Sequence, residues 1–271
     1  MMRFFAPGAL DFPAMQVVIL CGGRGTRLER ETEVLPKPMV TIGERPILWH
    51  IMKHYAHHGH RDFVLCLGYK GELIKDFFLH YQARQNDVTV ELGGKAKVEV
   101  HPALEGDLGW TVTLADTGLE TPTGGRLRRA AKYLTGERFL LTYGDGVCDL
   151  DLDALLAFHR AHGKVATVTA VHPPARFGEL VLAEGGRVGR FAEKPQLGTG
   201  QINGGFFVFE RRILDYLDDD ALEQHPMQAL TRDGELMAYA HDGFWQCMDT
   251  VRELTILRDL WGTGRAPWKV W

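Results

Sequence analysis

Met15-Gln16-Val17-Val18-Ile19-Leu20-Cys21-Gly22-Gly23-Arg24-Gly25-Thr26-Arg27-Leu28 is the stretch that decides the fold. An apolar run that breaks into three glycines within four positions reads as a buried strand entering a tight turn. Glycines let backbone amides approach a ligand closely, and successive N–H groups in such a turn form a concave anion site. Two familiar phosphate motifs fail here. A dinucleotide fingerprint starting at Gly23 needs glycine or alanine where Leu28 stands. A P-loop needs Gly-Lys followed by Ser or Thr, and the Gly-Lys pairs are followed by Ala96 and Val165. Arg27 nevertheless places a cation beside the glycines.

Outward from this turn, helical stripes (Ile47, Leu48, Ile51, Met52, Tyr55; Leu73, Phe77, Phe78, Tyr81) alternate with apolar runs (Phe63 to Leu67; Phe139 to Tyr143). This order predicts an α/β fold with a largely parallel sheet flanked by helices. Val88 to Val90, Val98 to Val100 and Thr111 to Ala115 read as short strands of an insertion spanning about residues 86–123, with a helix over 125–133 afterwards. Helix 152–162, strands 166–171 and 206–209, and helices 211–217 and 251–261 follow, and the chain closes as a helical tail. Residues 1–14 carry Pro7, Gly8 and Pro13 without periodicity and are expected to be a loose extension of a single domain over 15–271.

The 271 residues are 45% hydrophobic and 24% charged, enough to bury one large core or two modest ones. With 31 Lys+Arg against 35 Asp+Glu the formal charge is −4, so no global basic field exists to attract nucleic acid or an anionic membrane. Cys21, Cys66, Cys148 and Cys247 are scattered without a C-x-x-C pair, which argues against a zinc site and a disulfide framework and for a reducing cytoplasm. No apolar run is long enough to span a membrane, and serine, with its nucleophilic chemistry, is absent. His57, His58 and His60 close a helix, where basic groups suit the dipole, and are not read as a metal cluster.

Further cations and carboxylates sit on stiff turns. In Leu35-Pro36-Lys37-Pro38 two prolines fix the backbone on either side of Lys37, so that Arg27 and Lys37 together suit one phosphate chain. Tyr143-Gly144-Asp145-Gly146 puts Asp145 at the carboxyl end of a buried strand with room around its carboxylate. Such a carboxylate suits Mg²⁺, which takes few protein ligands and completes its shell with water and phosphate oxygens; Asp249 is its natural partner, though the sequence alone does not pair residues so distant. Glu193-Lys194-Pro195 and Asn203-Gly204-Gly205 offer groups for sugar hydroxyls and a phosphate.

This ordered set resembles the sugar-phosphate nucleotidyltransferase family, whose fold is Rossmann-like, of the nucleotide-diphospho-sugar transferase type. Pro46 to His50, Gly68-Tyr69-Lys70-Gly71, Thr123-Gly124-Gly125-Arg126-Leu127, Phe244-Trp245-Gln246 and Ala266-Pro267-Trp268-Lys269 narrow the resemblance to its branch that transfers a cytidylyl group from CTP to glucose 1-phosphate. The resemblance covers the chain from Met15 onward and implies a Mg²⁺-dependent reaction giving CDP-glucose and pyrophosphate, which feeds deoxy-sugar synthesis for surface polysaccharide such as O-antigen. It implies that Leu20, Cys21, Gly22, Gly23, Arg24, Gly25, Thr26, Arg27, Lys37, Thr121, Arg126 and Gly144 line the CTP site, with Arg126 contributing to cytosine selection. Glu193 and Asn203 would meet the glucose, Lys194 the sugar phosphate, and Asp145 and Asp249 the Mg²⁺; Arg27, Lys37 and Asp145 would be catalytic. It also implies a homo-oligomer, with a hexamer typical. Leu35 departs from the branch, whose members carry lysine there, and so does the loop Leu119 to Pro122. Phosphate chemistry alone leaves open another nucleoside triphosphate or hexose 1-phosphate. A regulatory subunit that binds without transfer is disfavoured by the presence of Arg27, Lys37, Asp145 and Asp249 together, and an NAD oxidoreductase by Leu28.

Overall fold

The computed structural model describes residues 13–28, 30–94, 97–101, 108–173, 179–182, 187–192 and 200–271. Residues 1–12 of the expected extension, and Glu193 and Lys194, therefore lie outside the described residues.

Seven strands form the central sheet: β1 (Gln16–Leu20), β2 (Asp62–Leu67), β3 (Thr111–Asp116), β4 (Arg138–Tyr143), β5 (Ala166–Val171), β6 (Ile202–Glu210) and β7 (Leu236–His241). Their spatial order is β7-β5-β6-β4-β1-β2-β3. β1 pairs in parallel with β2 and β4, β2 with β3, and β5 with β7; β6 alone is antiparallel to both neighbours. The mixed, mostly parallel sheet read from the sequence is thus present. Of the span 86–123, Asp87–Glu91 and Lys97–His101 form a separate hairpin, whereas Thr111–Asp116 is the edge strand β3. The excursion from the sheet is accordingly narrower than the sequence suggested.

Val17, Val18, Ile19 and Leu20 are all buried because successive side chains of β1 enter different cores. On one face Val17 and Ile19 meet α1 (Ile47–His57) through Leu48, Ile51, Met52 and Tyr55, the stripe visible in the sequence. Leu155 and Leu156 of a helix at Leu152–His162, and Leu254 and Leu257 of another at Val251–Gly262, complete that core together with Trp268. On the other face Val18 and Leu20 meet Leu127 and Ala130 of the helix Thr123–Ala130, with Ile213, Leu222 and Leu230. No helix among the described residues is long and apolar enough to cross a membrane.

Three of the buried histidines, His50, His54 and His60, are held neutral by their surroundings. His50 bonds the Ile42 carbonyl through Nε2 at 3.0 Å and accepts from Trp268 Nε1 at Nδ1 at 3.5 Å, which uses both ring nitrogens in one neutral tautomer. His60 Nδ1 accepts from the Met15 amide at 3.2 Å. Burial pulls His50 and His60 down to about 4, and burial together with His58 pulls His54 down to about 3. Above the ordinary value of 6.5 these rings are neutral in both folded and unfolded chains. As pH falls below it, the unfolded chain takes up protons that the folded chain refuses. Stability should therefore decline between pH 6.5 and 4, each histidine contributing up to about 1.4 kcal/mol per pH unit. Urea unfolding across this range checks the expectation. His60→Gln, which keeps an acceptor for Met15, should flatten the slope, and an unchanged slope would contradict it.

Candidate active site

The chain leaves β1 towards β2 and β3 in one direction and returns at β4 on the other side, so the carboxyl ends of β1 and β4 flank a switch point. Open α/β sheets bind ligands in that crevice. The turn after β1 is hung between its neighbours: the Cys21 amide donates to Cys66 O at 3.0 Å, the Tyr69 amide to Gly22 O at 3.1 Å and the Gly144 amide to Leu20 O at 3.1 Å. Gly25 then takes φ +61°, and Leu28 N closes a 3₁₀ turn over Thr26–Leu28 onto Gly25 O at 3.1 Å. This turn opens a cavity of about 460 Å³.

At the cavity floor the Lys37 ammonium bonds both the Asp145 carboxylate, at 2.5 Å, and the Asp249 carboxylate. Pro36 leads into a 3₁₀ turn at Lys37–Met39, and the Lys37 stem runs beneath Gly25, where an added Cβ would sit 3.0 Å from Lys37 Cβ. Only 10% of the Lys37 side chain is exposed, against 28% for Asp145 and 21% for Asp249. Burial alone would pull this ammonium down; the Asp145 and Asp249 carboxylates outweigh it and push the pKa up, so Lys37 is charged. Arg27, mostly exposed, reaches Asp249 at 3.0 Å.

Two local devices bring Asp249 to Asp145. Gly146–Cys148 pairs antiparallel with Trp245–Cys247, and the Met248 amide donates to Asp145 O at 2.8 Å. The helix Val251–Gly262 opens with a capping box in which Glu253 Oε2 accepts from Thr250 N at 2.9 Å and also from Asp249 N at 2.8 Å. Asp249 is thereby fixed one residue before a helix N-cap.

Arg126 is buried and its guanidinium braces three loops. It donates to Gly22 O at 3.1 Å, Leu67 O at 3.0 Å, Thr117 Oγ1 at 2.9 Å, Gly118 O at 2.7 Å and Leu119 O at 3.0 Å. Gly22 is glycine for this reason: an added Cβ would stand 2.1 Å from Arg126 Nη1. Thr121 accepts from Arg129 Nη1 at 2.8 Å, and both Thr121 and Arg126 line the cavity.

Leu20, Cys21, Gly22, Gly23, Gly25, Arg27, Lys37, Thr121, Arg126, Gly144, Asp145 and Asp249 thus share one cavity. Arg24 does not line it; its guanidinium pairs with exposed Glu120 at the surface. Thr26 starts the 3₁₀ turn, and its side chain is outside the described residues. Asn203, exposed near the start of β6, touches the site through Tyr143, whose hydroxyl accepts from Asn203 Nδ2 at 3.3 Å. Leu35 packs against the α1-side core. Glu223 was not read from the sequence: it accepts from the Tyr143 hydroxyl and, at 2.6 Å, from Thr123 Oγ1, and lines the cavity. It lies in an acidic loop whose spacing carries no site signal.

The sequence model of the family described as Nucleotidyl transferase matches residues 16–246. The chain belongs to the nucleotidyl transferase family. This nucleotidyl transferase is 52% identical over 260 residues to glucose-1-phosphate cytidylyltransferase of Salmonella typhi, covering 95% of this chain and 100% of that one. It is 42% identical to a probable glucose-1-phosphate cytidylyltransferase of Bacillus subtilis, with the same coverage of 95% and 100%. In fold it is similar to the crystal structure of HddC from Yersinia pseudotuberculosis complexed with GMP-PN, with TM-score 0.65 and 24% identity over 91% of this chain and 99% of that one.

The brace makes a direct prediction for this nucleotidyl transferase. Gly22→Ala drives a methyl group into Arg126 and should cost about 1–3 kcal/mol in denaturant unfolding. In an Arg126→Met background the same substitution should cost distinctly less, because the colliding group is gone. Equal costs in the two backgrounds would separate Gly22 from Arg126.

Proposed function

We propose that the protein transfers the cytidylyl group of CTP to α-D-glucose 1-phosphate, giving CDP-glucose and pyrophosphate. The observation that carries the reading is the meeting of Lys37, Asp145 and Asp249 below a glycine turn at the sheet's switch point. The similarity to glucose-1-phosphate cytidylyltransferases along 95% of the chain supports the choice of CTP and glucose 1-phosphate.

The attacking phosphate oxygen is already anionic, so no general base is needed. It bonds to the α-phosphorus of CTP while the bond from that phosphorus to the bridging oxygen breaks, and pyrophosphate leaves with the electron pair. The protein's task is to hold the two reactants in line and to neutralise charge at the reacting centre. The turn Gly22 to Gly25 follows the triphosphate with its backbone, and Arg27 and Lys37 supply positive charge to it. Arg126, at the base of the turn, fixes the wall against which cytosine packs. Tyr143, Asn203 and Glu223 form a hydrogen-bonding edge suited to glucose hydroxyls, and burial, with the adjacent Glu223, pushes the Tyr143 hydroxyl up so that it stays a donor. Glu193 and Lys194, outside the described residues, are assigned by resemblance to the glucose and its phosphate.

Two carboxylates that converge on one cation fit a divalent ion with a preference for oxygen donors. Asp145 and Asp249 would hold Mg²⁺, which when bound offsets the charge of the two polyanions at the α-phosphorus and the departing pyrophosphate. A homo-oligomer is part of the same reading.

Pyrophosphate release with glucose 1-phosphate, Mg²⁺ and CTP, UTP, dTTP, ATP or GTP in separate reactions tests it. Strong release with CTP alone is expected, and Asp145→Asn should lower kcat by about 10²-fold or more with the fold intact. Release with another nucleotide would move the base choice; no release with any would favour a binding subunit.

A further inference from the structure

The place between Asp145 and Asp249 is taken in this structure by the protein's own cation. The Lys37 ammonium bonds both carboxylates, and Arg27 adds a contact to Asp249. The base of the Lys37 stem lies beneath Gly25 and its backbone in the turn after Pro36, so the ammonium reaches the site from a fixed root. A divalent ion bonded directly to both carboxylates requires oxygen distances of about 2.0–2.1 Å and cannot share them with an ammonium already bonded to each.

We propose that Lys37 is an internal counter-cation that blocks the metal site until a nucleoside triphosphate offers its ammonium a second set of anionic oxygens. This rests on the reading above, in which Asp145 and Asp249 bind the ion. A bare divalent cation must displace Lys37 from both carboxylates, and the other carboxylate lining the cavity among the described residues, Glu223, already accepts from the Tyr143 hydroxyl and Thr123 Oγ1. A cation that arrives with a triphosphate supplies the phosphate oxygens to which Lys37 can turn, so one ammonium serves the carboxylates in the free enzyme and the phosphates in the complex. Metal and nucleotide then bind with positive coupling, and by linkage each raises the affinity of the other by the same factor. Lys37 is in this respect a positioning and gating residue as well as a phosphate ligand.

Mn²⁺ provides a spectroscopic probe that needs no turnover. Its binding to the intact protein is measured by electron paramagnetic resonance with and without a CTP analogue that cannot be cleaved between its α- and β-phosphates. The set comprises wild type, Lys37→Met, Lys37→Gln and Asp145→Asn. Wild type should bind Mn²⁺ weakly alone and markedly better with the analogue, beyond what the analogue binds by itself. Both Lys37 variants should bind the bare ion at least about tenfold more tightly than wild type, with the analogue adding little. Two Lys37 variants of different polarity guard against one of them misfolding, and thermal stabilisation by Mn²⁺ gives a second readout. Equal affinity of wild type and both variants for bare Mn²⁺, in a site that Asp145→Asn abolishes, would overturn the gating role and leave the metal assignment standing. Mn²⁺ binding that Asp145→Asn does not affect in any state would overturn the metal assignment and the gate with it.

Discussion

A single ammonium, Lys37, holds together two carboxylates that come from distant parts of the chain. Asp145 and Asp249 side by side and only partly exposed would repel each other and oppose closure of the site; with Lys37 between them the same charges become an attraction. Removing one member of a nearly buried ionic cluster leaves the others poorly solvated, which makes such clusters sensitive points of a structure. Much of the local architecture serves this contact. The small sheet of Gly146–Cys148 and Trp245–Cys247 aligns the two acidic loops, the capping box at Thr250 and Glu253 fixes Asp249, and Gly25 leaves room for the lysine stem.

The sheet explains why these pieces meet where they do. β1 and β4 are parallel neighbours with connections leading to opposite halves, so their carboxyl ends open a crevice that neither connection covers. Arg126 closes one wall by tying the turns after β1 and β2 to the loop after β3, and Tyr143 with Glu223 closes another. Lys37, Asp145 and Asp249 thus share one cavity with Arg126, Tyr143 and Glu223.

The strand and glycine turn of Met15 to Leu28, the helical stripe of α1, the stiff lysine of Pro36-Lys37-Pro38 and the strand-end Asp145 were legible because each rests on local chemistry. β3 reads as part of an excursion because it follows the hairpin strands closely in sequence, and β7, Leu236-Met237-Ala238-Tyr239-Ala240-His241, carries neither β-branched residues nor an apolar–polar alternation to mark a strand. The pairing of Asp145 with Asp249 depends on the small sheet that joins their loops, which no local spacing encodes. The role of Arg126 as a brace could not be read, because its acceptors are mostly backbone carbonyls, invisible in a string of residue types. Glu223 escaped for a related reason: its partners Tyr143 and Thr123 reach it only through the tertiary fold.

The contact at the centre is tested most directly by a double-mutant cycle in which Lys37→Met, Asp145→Asn and their combination are compared by denaturant unfolding without metal or nucleotide. A coupling of about 1–3 kcal/mol between the two positions is expected, because Lys37→Met leaves the Asp145 carboxylate without its cation and Asp145→Asn leaves the Lys37 ammonium with Asp249 alone. Additive effects, agreeing within about 0.3–0.5 kcal/mol, would mean that Lys37 does not hold the carboxylate pair together.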